Sequence, residues 1–182
     1  MGFVYLALGL ALVVSAAAAL TDWRTGHIPN WLTLGSMGLA LILHAAYGAA
    51  KDGFRGALGA LVSVLLGVFV CSLVPFFLYR KNGMGGGDVK LLAALGAMCG
   101  PMIGLQAQFY SFIAIVLYAF ARLAYQGNLL RTLYQSLRIL INPLLPAARK
   151  KPVSPEMMTS LRLGPAILAG VIATAFAHWR IG

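Results

Sequence analysis

Apolar residues arrive in long runs, and the polar residues are confined to the gaps between them. The runs cover residues 3–20, 31–50, 57–79, 89–100, 102–124 and 163–179. A helix needs about 20 apolar residues to cross the hydrocarbon of a bilayer, and most of these runs reach that length. The fourth is short, because a helix over 89–100 spans only about 18 Å at 1.5 Å per residue. The pattern predicts an all-α polytopic membrane protein, with residues 1–182 as one membrane-embedded domain of six transmembrane helices.

Between the fifth and sixth runs, Leu129, Leu130, Leu133, Leu137 and Leu140 recur opposite Arg131, Gln135 and Arg138. This spacing predicts an amphipathic helix lying on the inner leaflet, ended by Asn142 and Pro143. Pro146, Pro152 and Pro155 then mark an irregular connector.

Charge gives the chain a direction. It carries 14 Lys and Arg against 4 acidic residues. Six crossings with the N-terminus outside leave only Lys51, Arg55 and Arg180 on the outer side and put the other basic residues inside, the usual bias of membrane loops. Dropping the fourth crossing would send the basic stretch from Arg131 to Lys151 outside, so that run counts as a short span rather than a re-entrant segment. The first Arg follows the first apolar run, which reads as a retained span and not a cleaved signal.

A composition 60% hydrophobic and 10% charged, with mean hydropathy +0.86, excludes a soluble globular domain. The net charge of +10 does not indicate nucleic acid, since no basic stretch alternates with aromatics on a soluble scaffold. Cys71 and Cys99 lie inside apolar runs with no C-x-x-C pair, which excludes a zinc module. The predicted topology separates them by about 18 Å in depth, too far for a disulfide. They read as packing residues.

The chain holds four acids, Asp22, Asp52, Asp88 and Glu156. Asp22 closes the first apolar run and Asp88 opens the fourth, so both fall at the inner interface. Ionisable groups at membrane depth are costly and mark function. Two carboxylates about 4 Å apart repel by roughly 4 kcal/mol at an effective dielectric near 20, so the pair shares a proton. One member can then activate water while the other protonates a leaving amine. Helix dipoles assign Asp88, at a helix start, as base and Asp22, at a helix end, as acid.

Plainer structural roles compete with that reading. Asp88 could cap its helix, and Asp22 could pair with Arg24. The glycines before Asp88 weigh against a simple cap. Gly85, Gly86 and Gly87 strip side-chain bulk from the approach and predict substrate access, with Gly87 needing a positive φ. Lys90 is the accompanying positioning residue, carrying its ammonium to the interface or tuning Asp88 from one turn away. Asn30 is expected to cap the second span. His27 reads as a solvated loop residue, and His44 and His178 fall near the outer face. Neither a metal ion nor a cofactor is expected.

Asp22 with Thr25, Ile28-Pro29-Asn30, and then Gly83-Met84-Gly85-Gly86-Gly87-Asp88-Val89-Lys90-Leu91 resemble the two signature blocks of the type IV prepilin peptidases. These are G-x-G-D aspartic proteases of bacterial inner membranes, and Gly85-Gly86-Gly87-Asp88 supplies the G-x-G-D match. Leu163-Gly164-Pro165-Ala166-Ile167 resembles the family's last-span motif more loosely. The resemblance covers nearly the whole chain. It implies catalytic roles for Asp22 and Asp88, with prepilin or pseudopilin precursors as substrates, cut at the cytoplasmic face. Larger members add a cytoplasmic domain with paired C-x-x-C motifs that N-methylates the new pilin end. That domain is absent from this sequence, and the compact form is similar to the peptidases of Flp-type, tight-adherence pilus systems. The rival expectation is a small transporter or assembly scaffold passing protons or cations. A conduit would want its acids along the bilayer midplane, whereas these gather at one interface.

Overall fold

The computed structural model describes residues 2–81, 83–125 and 163–181, and among them every regular element is helical. These elements are α1 (Gly2–Thr25), α2 (Asn30–Arg80), α3 (Gly86–Tyr125) and α4 (Gly164–Ile181). By length and composition, three of them are able to cross a membrane: α1, α2, and α3 as far as Ala121. The amphipathic helix expected at 129–140 and the proline-marked connector lie outside the described residues. By internal contacts the chain divides into two compact units, Met1–Ile115 with Arg162–Gly182, and Val116–Leu161. Asp22 and Asp88 both belong to the first unit.

Two of the long helices are each a pair of helices. In α2 the backbone leaves helical geometry at Asp52 (φ −131, ψ 24) and Gly53 (φ 59, ψ −141). The positive φ suits glycine, which has no Cβ to clash. The chain folds back there, because a methyl on Gly48 would land on the carbonyl of Gly56. In a straight helix these residues would stand about 12 Å apart. α3 does the same at Gly100 (φ 75, ψ 174), followed by Pro101, which has no N–H to continue the ladder. Beyond that break Gly104 returns against Gly96. The described residues therefore hold six helical segments, one for each apolar run.

The segment 86–99 is the centre of the unit, with Leu91, Leu92, Leu95 and Met98 all essentially inaccessible. Residues 91–98 are buried without exception. The segment's neighbours approach through small residues, as helices do where hydrophobic burial gives no drive for association. A methyl on Gly67 would fall on the Gly96 carbonyl, and one on Gly96 would lie 2.8 Å from the Cys71 Cβ. α1 presents a stripe of Ala7, Ala11, Ser15, Ala18 and Asp22 to the interior, spaced by three and four residues. Its opposite face exposes Leu6, Val13 and Leu20.

The break at Gly100 sits at the level of Ser63, whose Oγ is 3.6 Å from where a Gly100 Cβ would lie. It is therefore about 15 Å short of the turn at Gly53, at 1.5 Å per residue along the neighbouring helix. This corrects the expected separation of the cysteines. Cys71 stands level with Gly96, and Cys99 is one helical turn further on, so their depths differ by about 4.5 Å. The His44 ring nitrogen Nε2 lies 2.8 Å from the Met98 carbonyl, taking up an acceptor that the helix break leaves open. The Phe3 ring meets His44 edge-on at 4.8 Å and stacks on Tyr47 at 4.1 Å.

Candidate active site

The loop joining α1 to α2 brings the two aspartates together. Gly26 ends α1 with φ +67 and donates its N–H to the Asp22 carbonyl at 2.9 Å, a left-handed helix stop that glycine favours. Ile28 is then buried, and its Cβ lies 3.2 Å from where a Gly87 Cβ would be. The end of α1 is thereby docked on the first turn of α3. On the other side of that turn, a Cβ on Gly86 would sit 3.5 Å from the Tyr79 ring.

Asp88 belongs to this first turn and is not its cap. Val89 donates its N–H to the Gly85 carbonyl at 3.3 Å, which makes Gly85 the cap residue. The Asp88 carboxylate in turn accepts the Gly85 backbone N–H. This is the reach-back half of a capping box, performed by an aspartate. The acid's place after the glycines follows from that geometry: the side chain folds over the N-terminus of its own helix.

Asp22 is anchored differently. Its Oδ2 accepts the backbone N–H of Gly164, the first residue of α4, at 2.9 Å. Sequence reasoning missed this residue as part of the site. The available signal was a glycine directly before a proline at the start of an apolar run, where a helix offers unpaired amides. The contact also removes the premise for separating the two acids by dipole. Asp22 does end α1, but its carboxylate meets the positive end of α4, so both acids sit on helix N-terminal amides.

Asp22 is 7% and Asp88 9% exposed, and the two carboxyl groups lie within electrostatic reach of each other. Asp52, by contrast, stands exposed at the α2 fold-back. The site therefore gathers two buried carboxylates from separate helices, each accepting one backbone N–H. Such an arrangement can hold a water molecule between an ionised and a protonated carboxyl group. Residues 9–120 match the model of the type IV leader peptidase family.

The chain belongs to that family.

The chain is also similar to curated leader peptidases. The prepilin leader peptidase/N-methyltransferase of Escherichia coli (strain K12) is 43% identical over 96 residues, covering 47% of this chain and 39% of that protein. The protein of the same name from Xanthomonas campestris pv. campestris is 39% identical over 83 residues, 43% of this chain and 27% of its own length. That of Burkholderia pseudomallei (strain 1026b) is 36% identical over 97 residues, 52% of this chain and 29% of the relative. The matched stretch is thus well under half of each leader peptidase. No solved structure matched the chain.

Of the remaining residues expected at the site, Gly85, Gly86 and Gly87 form the start of α3 directly before Asp88, but Gly87 owes nothing to a positive φ. Positive φ among the described glycines is confined to Gly26, Gly53 and Gly100, and what constrains Gly87 is the proximity of Ile28. Asn30 is not the cap of α2. That position is Pro29, which makes no side-chain cap bond. Asn30 is instead exposed, and its Oδ1 accepts a hydrogen bond from Lys90 Nζ at 2.8 Å. Lys90 is accordingly tied to the α2 start.

Proposed function

We propose that this protein is a membrane aspartic endopeptidase that removes the leader of type IV prepilins or pseudopilins, with Flp-like pilins as the preferred class. The observation that carries this reading is the pair of buried carboxylates, Asp22 and Asp88, in a chain of the leader peptidase family. One ionised carboxyl group draws a proton from a water held between them, and the hydroxide equivalent adds to the scissile carbonyl. The protonated partner supplies the proton that lets the amine leave. Because each acid rests on one helix-start amide, the structure favours neither for the base, and the proton is assigned to the pair.

In this reading the six helical segments each cross or enter the bacterial inner membrane, with 86–99 the short fourth span. The N-terminus lies outside and the aspartates face the cytoplasm, as the basic loops favour. The bilayer, with the prepilin's own apolar segment in it, delivers the cleavage site to the glycine-lined opening at the interface. Residues 1–182 are assigned to one peptidase domain, in which no cofactor takes part.

Coexpression with candidate prepilins in a host lacking its own peptidase tests the proposal directly. The mature pilin should lose the mass of its basic leader, read on the intact protein. Unchanged precursor mass with every candidate, despite correct insertion of the peptidase, would leave the transporter or scaffold reading in its place.

A further inference from the structure

We propose that Gly164 is a positioning residue for the reaction: its backbone N–H fixes the Asp22 carboxylate from a helix that carries no acid of its own. The inference rests on the reading of Asp22 as one of the two reacting carboxyls. Asp22 ends a helix whose last carbonyls would repel an anion. The α4 start supplies a donor there. Ile167 already donates to the Leu163 carbonyl at 2.9 Å, and Pro165 has no N–H, so the Gly164 amide is the one directed at Asp22, at 2.9 Å and buried.

The approach has no slack. A Cβ on Gly164 would stand 2.9 Å from both Cβ and Oδ2 of Asp22, and 3.1 Å from the Ala19 Cα. Any side chain here must push α4 away from α1 and lengthen the hydrogen bond. α4 is itself held in place, since Ser111 Oγ hydrogen-bonds the Ile167 carbonyl at 3.3 Å and the Ala107 carbonyl at 2.7 Å. With Oδ2 engaged by the amide, Oδ1 is the oxygen that the proposal assigns to the water and the partner acid. Gly164 thereby selects the carboxylate rotamer that reacts, without touching substrate.

The test uses the full chain in lipid nanodiscs, with cleavage of a prepilin followed by mass. Gly164→Ala should lower kcat by roughly 10- to 100-fold, the scale of a misplaced catalytic group, while KM stays within about twofold. Replacing Gly164 by glycolic acid, which turns the 163–164 amide into an ester, removes the donor without adding bulk. It should give a similar loss of kcat, with thermal unfolding lowered only by as much as one lost hydrogen bond explains. Pro165→Ala keeps the donor and should behave like the parent. Wild-type kcat in the ester variant overturns the proposal. So does a loss in Pro165→Ala equal to that in Gly164→Ala, which would mark the helix start rather than the amide. Full activity of Asp22→Asn in the same assay would refute the role of Asp22 itself, an outcome distinct from failure of the contact.

Discussion

Lys90 and Asn30 join the two motif blocks of this protein by a hydrogen bond of 2.8 Å between residues 60 apart in the chain. The bond ties the first turns of α2 and α3 beside the buried acids. Both side chains are exposed, so its contribution is modest, about 0.5–1.5 kcal/mol. Lys90→Met should destabilise the protein by that amount, and Lys90→Arg should recover most of it. Equilibrium unfolding in mild detergent measures both.

Asp22→Asn and Asp88→Asn should each abolish processing, by roughly 10⁴-fold or more, because residues that act as one catalytic unit are lost as a unit. Insertion into the membrane should be unaffected. Asp52→Asn, at the α2 fold-back, and Glu156→Gln should process at the parental rate. A prepilin cleavage assay with each variant at matched membrane levels compares them.

The helical segments and the inward face of Asp22 were legible in the sequence for a simple reason: both are written in periodicity. Each apolar run became one helical segment. Asp22 extends the stripe of small residues on α1 by one more helical turn, so its inward orientation could be read from spacing alone. What could not be read was depth. Nothing in residues 89–100 tells how far a covered helix reaches, so the Gly100 turn fell within the unit and brought Cys99 near the level of Cys71. Hydrogen bonds between distant segments were equally hidden. The Gly-Pro start of α4 marks unpaired amides without showing that Asp22 is their acceptor, and the Lys90 ammonium on Asn30 depends on packing that no local pattern encodes.

Gly87 should reject side chains in proportion to their size. A Cβ there meets the Ile28 Cβ at 3.2 Å, a contact that a shift of a few tenths of an ångström can relieve. Gly87→Ala should therefore retain measurable cleavage. Gly87→Val adds bulk that the docked loop cannot evade, and should cost about 1–3 kcal/mol as well as the activity. Thermal unfolding and cleavage rates on the same preparations separate the two effects.

Single cysteines in a background without Cys71 and Cys99 map the orientation. Thr25→Cys and Lys81→Cys, flanking the aspartates, should react with an impermeant maleimide in inverted vesicles. Asp52→Cys should react in intact spheroplasts. The reverse pattern would place the acids on the outer side and rule out cytoplasmic leader removal.

The mutual lock of Gly67 and Gly96 makes the central helix an angular gauge. Each residue added to a helix turns everything beyond it by about 100° and advances it by 1.5 Å. Gly96 and Gly67 meet backbone to backbone, so rotating the helix would force a side chain such as Leu95 into that contact, and Asp88 is aimed by the number of residues that separate it from Gly96. One residue inserted between them would leave the G-x-G-D block, the spans and the apolar content intact, yet swing the carboxylate toward a neighbouring helix and away from Asp22. Substitution along 91–95 meets only a demand for volume, whereas a change of length there is a change of direction.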